Sequence, residues 1–307
     1  MGSRILFVHG RSFKPNEKAL WSVWLAATRH GIARSHPRKL AKFDAANKQF
    51  AYYGDISTEF LRSRGKSYSE KKDIADRKAT LATLKQYTTQ QFNKRTYKKM
   101  PGKSSLKEFF ADVGAGPLHW FGLSESAIST VAPDMGEYWN PDTNFGSAVR
   151  WPFTEQVRRA MDSGDRILVV AHSLGTLIAW DTFWKFSYYG EYQAYRKKRV
   201  NLWITLGSPL ADETVKAHLK GARASGSRRF PINVVRWENI AAEDDYISHD
   251  QTVANDFKKM KRSGLATKHI ADHRIYNLAV RHGSSNPHSS VGYLIHPTTS
   301  RLIAQWL

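Results

Sequence analysis

A serine hydroxyl becomes a nucleophile only where a base can take its proton and a third group can orient that base. The stretch Arg166 to Asp181 offers such a serine. Its apolar, β-branched run Ile167 to Val170 reads as a strand buried on both faces; it breaks at Ala171-His172-Ser173-Leu174-Gly175, and helical spacing begins at Thr176. Strand, sharp turn and helix in that order present the serine at the tip of a strained corner. Small neighbours are needed there, and Ala171 and Gly175 meet that need in a G-x-S-x-G variant with alanine first. An ordinary βα turn can also contain a serine, so the partners decide. Acids and histidines should then sit in loops beyond later strands. Two stretches supply them: Glu238 to His249, which holds Asp244 and Asp245, and Arg281 to Tyr293, which holds His282 and His288.

The elements that must position these groups alternate between strand and helix. Arg4 to Val8, Lys48 to Tyr53, Ile167 to Val170, Val200 to Leu206, Pro231 to Trp237 and Arg274 to Val280 read as strands. Helical spacing covers Asn16 to His30, with Gly31 as its stop, then Trp151 to Ser163 and the closing Thr298 to Leu307. Such alternation predicts an α/β fold with a mostly parallel sheet of about six strands, covered by helices on both faces. The site belongs at the carboxyl edge where the strand order reverses. Between residues 56 and 139 the rhythm lapses into a helical, partly basic insertion. The expected organisation is therefore a core of residues 1–55 and 140–307 with that insertion as a lid or cap. A helical subdomain that merely packs on the body is the alternative.

Composition narrows the function classes. With 307 residues, 41% hydrophobic and 12% aromatic, the chain has a substantial core. It contains no cysteine, which removes thiol nucleophiles, disulfides and cysteine-ligated metals. Asp142-x-Asn144-x-Gly146 imitates part of a calcium loop but lacks the distal glutamate, so no metal and no cofactor are expected. No run approaches the roughly 18 apolar residues of a membrane span, and no signal-peptide pattern opens the chain. A cytoplasmic protein is the default, with signal-free export as the other route. The formal charge is +20, and between Arg34 and Lys107 19 Lys and Arg face 6 Asp and Glu. That excess suits an anionic membrane surface or an acidic substrate. Nucleic acid is disfavoured, because the basic span is helical and lacks a stacking platform. Nothing in the sequence sets an oligomeric state.

Taken together, these motifs resemble the α/β-hydrolase superfamily, in its serine esterase/lipase type. His9-Gly10-Arg11 resembles the oxyanion-strand motif and Ala171 to Gly175 the nucleophile elbow. Trp237-Glu238-Asn239 with Asp245-Tyr246-Ile247 resembles the acid loop, and His288 to Tyr293, ahead of the last helix, the histidine loop. The resemblance covers about Ile5 to Tyr53 and Trp151 to Leu307, not the insertion. It implies Ser173 as nucleophile, His288 as base and then acid, and Asp245 as the group that orients the imidazole. Asp244 and Asp212 compete for the acid, and His282 and His296 for the base. His172 points away from the serine on such a turn. The oxyanion hole implied is the backbone N–H of Leu174 and of Arg11. A guanidinium at Arg11 either meets a substrate phosphate or carboxylate or forms a structural ion pair.

The activity implied is hydrolysis of a carboxylic ester through an acyl-enzyme. A lipid-like or acyl ester would lie in an apolar pocket formed by His9, Gly10, Phe109, Phe110, Trp120 and Phe121. A thioesterase on the same site, and a non-catalytic protein binding membrane or nucleic acid through its basic face, are the alternatives.

Overall fold

The computed structural model describes residues 2–102, 130, 132–248 and 252–307. Its frame is a six-stranded sheet in which every pairing is parallel. The strands are β1 (Ser3–Val8), β2 (Asn47–Ala51), β3 (Arg166–His172), β4 (Leu202–Leu206), β5 (Arg236–Ala242) and β6 (His269–Ile275). They lie side by side in the order β2-β1-β3-β4-β5-β6. The chain moves outward from β1 to β2, then returns to the other side of β1 with β3. Strand order thus reverses between β1 and β3, whose carboxyl ends lead to Gly10 and Ser173.

The faces of the sheet alternate residue by residue, as the pleat requires. Leu6, Val8, Val169, Ala171, Trp203 and Trp237 enter one core. It is covered by α5 (Phe145–Asp162) and α6 (Leu174–Tyr188). Ile5, Phe7, Leu168, Val170, Leu202 and Ile204 enter the other. That face is covered by α1 (Glu17–Ser35), α3 (Glu70–Lys85), α7 (Ser290–Ile295) and α8 (Pro297–Trp306). Trp203 and Trp237 stack across neighbouring strands with ring centroids 4.5 Å apart. Such a pair adds about 0.5–1.5 kcal/mol beyond its buried area.

Two strands lie away from their sequence-based positions. The fifth is Arg236–Ala242 rather than Pro231 to Trp237. Its polar residues hid it: Glu238 is buried against Arg236, His269 and His273, and Asn239 donates to Asp272 and accepts from Thr205. The sixth is His269–Ile275 rather than Arg274 to Val280. It lies at the sheet's edge, mostly half-buried, and so carries a polar sequence that no apolar run marks. Val280 and Arg281 instead pair with Ser284 and Ser285 in a short hairpin. Gly31 does not stop α1, which runs through it to Ser35. Its lack of a side chain lets the helix close on its neighbours, since a Cβ there would meet Ser300 Oγ at 2.5 Å and the Ile295 carbonyl at 2.8 Å.

Within the 56–139 stretch, the described residues include the rest of α2 (Gly54–Ser63), α3, short helical turns at Thr89–Gln91 and Lys94–Tyr97, and α4 (Pro133–Trp139). Helix α3 packs on α1 and α7. Asn16 caps α1 by accepting from Ala19 N–H and is itself held by Glu70 of α3 at 2.6 and 2.8 Å. Phe109, Phe110, Trp120 and Phe121 lie outside the described residues. No helix among those described is long and apolar enough to cross a membrane.

Candidate active site

Ser173 closes β3 and opens α6 with φ +54° and ψ −125°, a backbone conformation that L-residues rarely adopt. Holding a side chain there costs on the order of 1–3 kcal/mol. The corner persists because its surroundings leave no other path. Ser173 N–H donates to the Leu206 carbonyl at 3.0 Å, tying the turn to β4. A Cβ on Gly175 would strike the His9 and Val8 carbonyls at 2.5 and 2.7 Å, so only glycine lets α6 start against β1. Gly10 is equally confined: a Cβ there would lie 2.8 Å from Ser173 Cβ. The loop after β1 therefore runs directly beside the serine.

Three side chains from distant parts of the chain join in one line. Ser173 Oγ is 3.0 Å from His288 Nε2, and His288 Nδ1 is 3.0 Å from both oxygens of Asp245. With a carboxylate facing Nδ1, the proton of a neutral imidazole sits on Nδ1, and the Nε2 lone pair faces the serine hydroxyl. Asp245 is buried and its remaining acceptor sites are filled. Tyr293 O–H donates to Oδ2 at 2.5 Å and Ile247 N–H to Oδ1 at 3.0 Å. The Tyr293 oxygen in turn accepts from Ala242 N–H at 2.8 Å. Burial first, then the charge of Asp245, push the Tyr293 hydroxyl well above the usual tyrosine range, so it stays a donor.

The histidine loop is held by Asn277, which sequence reading did not find, and by His172. Asn277 Nδ2 donates to the carbonyls of Pro287 and Ser289 at 2.9 and 3.0 Å, on either side of His288. Between them, the His288 carbonyl accepts from His172 Nε2 at 2.9 Å. Asn277 is fully buried, and Gly292 leaves the space it needs, because a Cβ there would lie 1.7 Å from its Oδ1. Gly207 went unnoticed as well. It follows β4 with φ +53°, and a Cβ on it would come within 2.9 Å of Asp245 Oδ2 and 3.0 Å of His288 Nδ1. A glycine after a strand is too common a signal to single this one out; only its neighbours do.

The competing acids and histidines have other partners. Asp244, at φ +60°, accepts from Tyr97 O–H at 3.0 Å. Asp212 caps a short helix by accepting from Val215 N–H. His282 is exposed beside Asp76, and His296 caps α8 by accepting from Thr298 N–H at 3.1 Å. His172 supports the backbone of His288. Burial, then the neighbouring His288, hold its ring well below the usual histidine range, so it is neutral.

The side chains of His9, expected at the substrate, and of Arg11, left open between a substrate anion and an ion pair, both serve the scaffold. His9 is fully buried: Nδ1–H donates to the Gly10 carbonyl at 2.8 Å, Nε2 accepts from Tyr53 N–H at 3.1 Å, and the ring stacks on Tyr53. The Arg11 guanidinium lies against buried Asp134, to which Nε donates at 2.9 Å and Nη2 at 2.5 Å; Ser12 N–H joins the same carboxylate at 2.8 Å. Of the two roles open to Arg11, the structural ion pair is the one seen. Leu174 is the first residue of α6, where a backbone N–H has no acceptor within the helix.

A cavity of about 460 Å3 opens onto Ser173 and His288 and extends past Gly10, Trp24 and α3 to Arg281. Among the described residues its lining combines apolar side chains, Leu20, Trp24, Leu61, Ile247 and Val291, with polar and charged ones; the aromatic residues expected to roof it lie outside them. No group of histidines and carboxylates among them could hold a metal ion.

No family model and no curated protein sequence matches the chain. Among solved structures, a double mutant of the esterase E40 is similar at 13% identity with a TM-score of 0.31, over 54% of this chain and 60% of that chain. The alignment spans less than two thirds of that esterase, and a likeness of this size carries no argument about the chemistry here.

Proposed function

We propose that the chain is a serine hydrolase that cleaves carboxylic esters through an acyl-enzyme. The observation that carries this reading is the hydrogen-bonded line Asp245–His288–Ser173, ending on a serine held at a strained corner beside an open cavity. Ser173 Oγ attacks the ester carbonyl as His288 Nε2 takes its proton, and Asp245 stabilises the imidazolium that forms. The carbonyl oxygen, now anionic, is met by the backbone N–H groups of Leu174 and Arg11. His288 returns its proton to the departing alkoxide. Water then repeats the sequence on the acyl-enzyme, with His288 again as base, releasing the acid and restoring the serine.

Release of 4-nitrophenol from short and long acyl esters tests this. Ser173→Ala should lose on the order of 10⁴-fold or more in kcat, and a fluorophosphonate should label the wild type at Ser173 alone. The chain-length profile and the response to anionic vesicles then decide whether the esters are lipid-like. No turnover of any ester, with no labelling, would refute the hydrolase reading.

A further inference from the structure

The cavity beside Ser173 is cationic for a reason that Arg11 does not supply. Lys14, Lys66, Lys72, Arg77 and Arg281 line it, against Asp73 and Asp76. Both acids are already engaged. Asp73 accepts from Arg281 Nη2 at 2.9 Å, Arg77 Nε at 3.0 Å and Tyr68 O–H at 2.7 Å, and Asp76 lies 3.1 Å from Arg281 Nε. The carboxylates thus fix two arginines as a wall and leave Lys14, Lys66 and Lys72 without a carboxylate partner among the described residues. Arg77 uses only Nε on Asp73, so its terminal nitrogens are left for another acceptor.

Lys14 is the inner cation. It is half-buried, and its ammonium donates to the main-chain carbonyls of Arg11, of Phe13 at 3.1 Å and, more weakly, of Ser12 at 3.5 Å. These belong to the loop that leads from β1 past Ser173. Among the described residues, no carboxylate lies within ion-pair distance of it. Burial, followed by the repulsion of Arg77, lowers its pKa to about 7, against the opposing pull of Asp73 and Asp134. An ammonium so placed has no carboxylate of the described residues in direct contact, and an anion beside it would supply that contact. Lys66 and Lys72 are exposed at the mouth, where they add to the same field.

We propose that the ester substrate carries an anionic group, a carboxylate or a phosphate, that docks on Lys14 against the Arg77–Arg281 wall while its carbonyl lies at Ser173. The ester half of this statement rests on the hydrolase reading; the anion half stands on the cavity. Two esters of matched length separate the two: mono-4-nitrophenyl glutarate, which ends in a carboxylate, and 4-nitrophenyl pentanoate, which does not. The wild type should favour the charged ester in kcat/KM by roughly 10- to 100-fold, the range for one or two charge-assisted hydrogen bonds. Lys14→Met should collapse that ratio through KM, and Lys14→Arg should keep most of it. Glutarate, glycerol 3-phosphate and inorganic phosphate, tested as competitive inhibitors of the neutral ester, show which anion the subsite prefers.

Equal use of both esters by the wild type would overturn the proposal, as would a Lys14→Met variant that loses both in the same proportion. Thermal melts establish that each variant is folded. Where neither ester turns over and Ser173 is not labelled, the hydrolase reading alone has failed. Calorimetric titration of the three anions then decides the subsite: binding that Lys14→Met abolishes sustains it, and no binding to the wild type refutes it.

Discussion

Replacing Gly207 by alanine adds one methyl group against the Asp245–His288 hydrogen bond. Two costs follow, and they can be separated. The backbone cost comes from φ +53°, where a residue with a Cβ loses about 1–2 kcal/mol. The contact cost comes from the methyl itself, which would sit 2.9 Å from Asp245 Oδ2, 3.0 Å from His288 Nδ1 and 3.1 Å from His288 Cε1. These distances flank the 3.0 Å bond between the two side chains, so the methyl wedges against it. Neither partner can withdraw easily. Tyr293 and Ile247 hold the carboxylate, Asn277 and His172 hold the histidine loop, and Gly207 N–H is fixed to the Ile240 carbonyl at 3.0 Å. A displacement near 1 Å in such a site costs on the order of 10²-fold, and loss of the orienting acid about 10⁴-fold. Gly207→Ala should therefore lower kcat by about 10²- to 10⁴-fold, or about 3–5 kcal/mol of barrier. Gly226→Ala is the control. Its φ is +56°, but no atom lies within 4 Å of the added Cβ, so it should lose only the backbone term and keep its kcat. The assay is steady-state hydrolysis of a 4-nitrophenyl ester with a thermal melt of each variant. A folded Gly207→Ala with kcat within about threefold of wild type, under 1 kcal/mol of barrier, would refute the argument.

Two further outcomes are expected. Asn277→Ala strips the donor from two carbonyls flanking His288; it should cost about 2–4 kcal/mol in urea unfolding and slow fluorophosphonate labelling of Ser173. Unchanged labelling would mean that the loop holds His288 without Asn277. His296 is buried and held at a pKa of about 3, by burial first and then Arg34, against 6.5 ordinarily. Between those values the unfolded chain binds a proton that the folded chain does not, so stability falls as pH drops below 6.5, by about 2 kcal/mol at pH 5 from this residue. His9 and His172 act in the same direction, so the measurement is a difference: His296→Asn keeps an acceptor at the α8 cap and should lose about 2 kcal/mol less than wild type between pH 7 and 5. Equal losses would assign the acid sensitivity elsewhere.

The sequence by itself determined the parts that are local. The Ser173 corner is legible because a doubly buried strand, two small residues and a helix must follow one another within about ten positions. The two-faced sheet is legible for the same reason at β1, β3 and β4, whose apolar runs declare burial on both sides. Where burial is compensated by polar partners from other strands, as at Glu238 and Asn239, or is incomplete, as along β6, the pattern fails and so did the strand positions. Tertiary structure decided everything that depends on direction. Asp244 and Asp245 are adjacent and chemically alike, yet successive side chains diverge, one to Tyr97 and the other to His288. Arg11 could have faced the substrate until Asp134 closed on it from 123 residues away. Gly207, Asn277 and Lys14 carry no motif. Their roles arise from which atoms the fold brings within about 3 Å, a range set by packing and hydrogen bonding rather than by order along the chain.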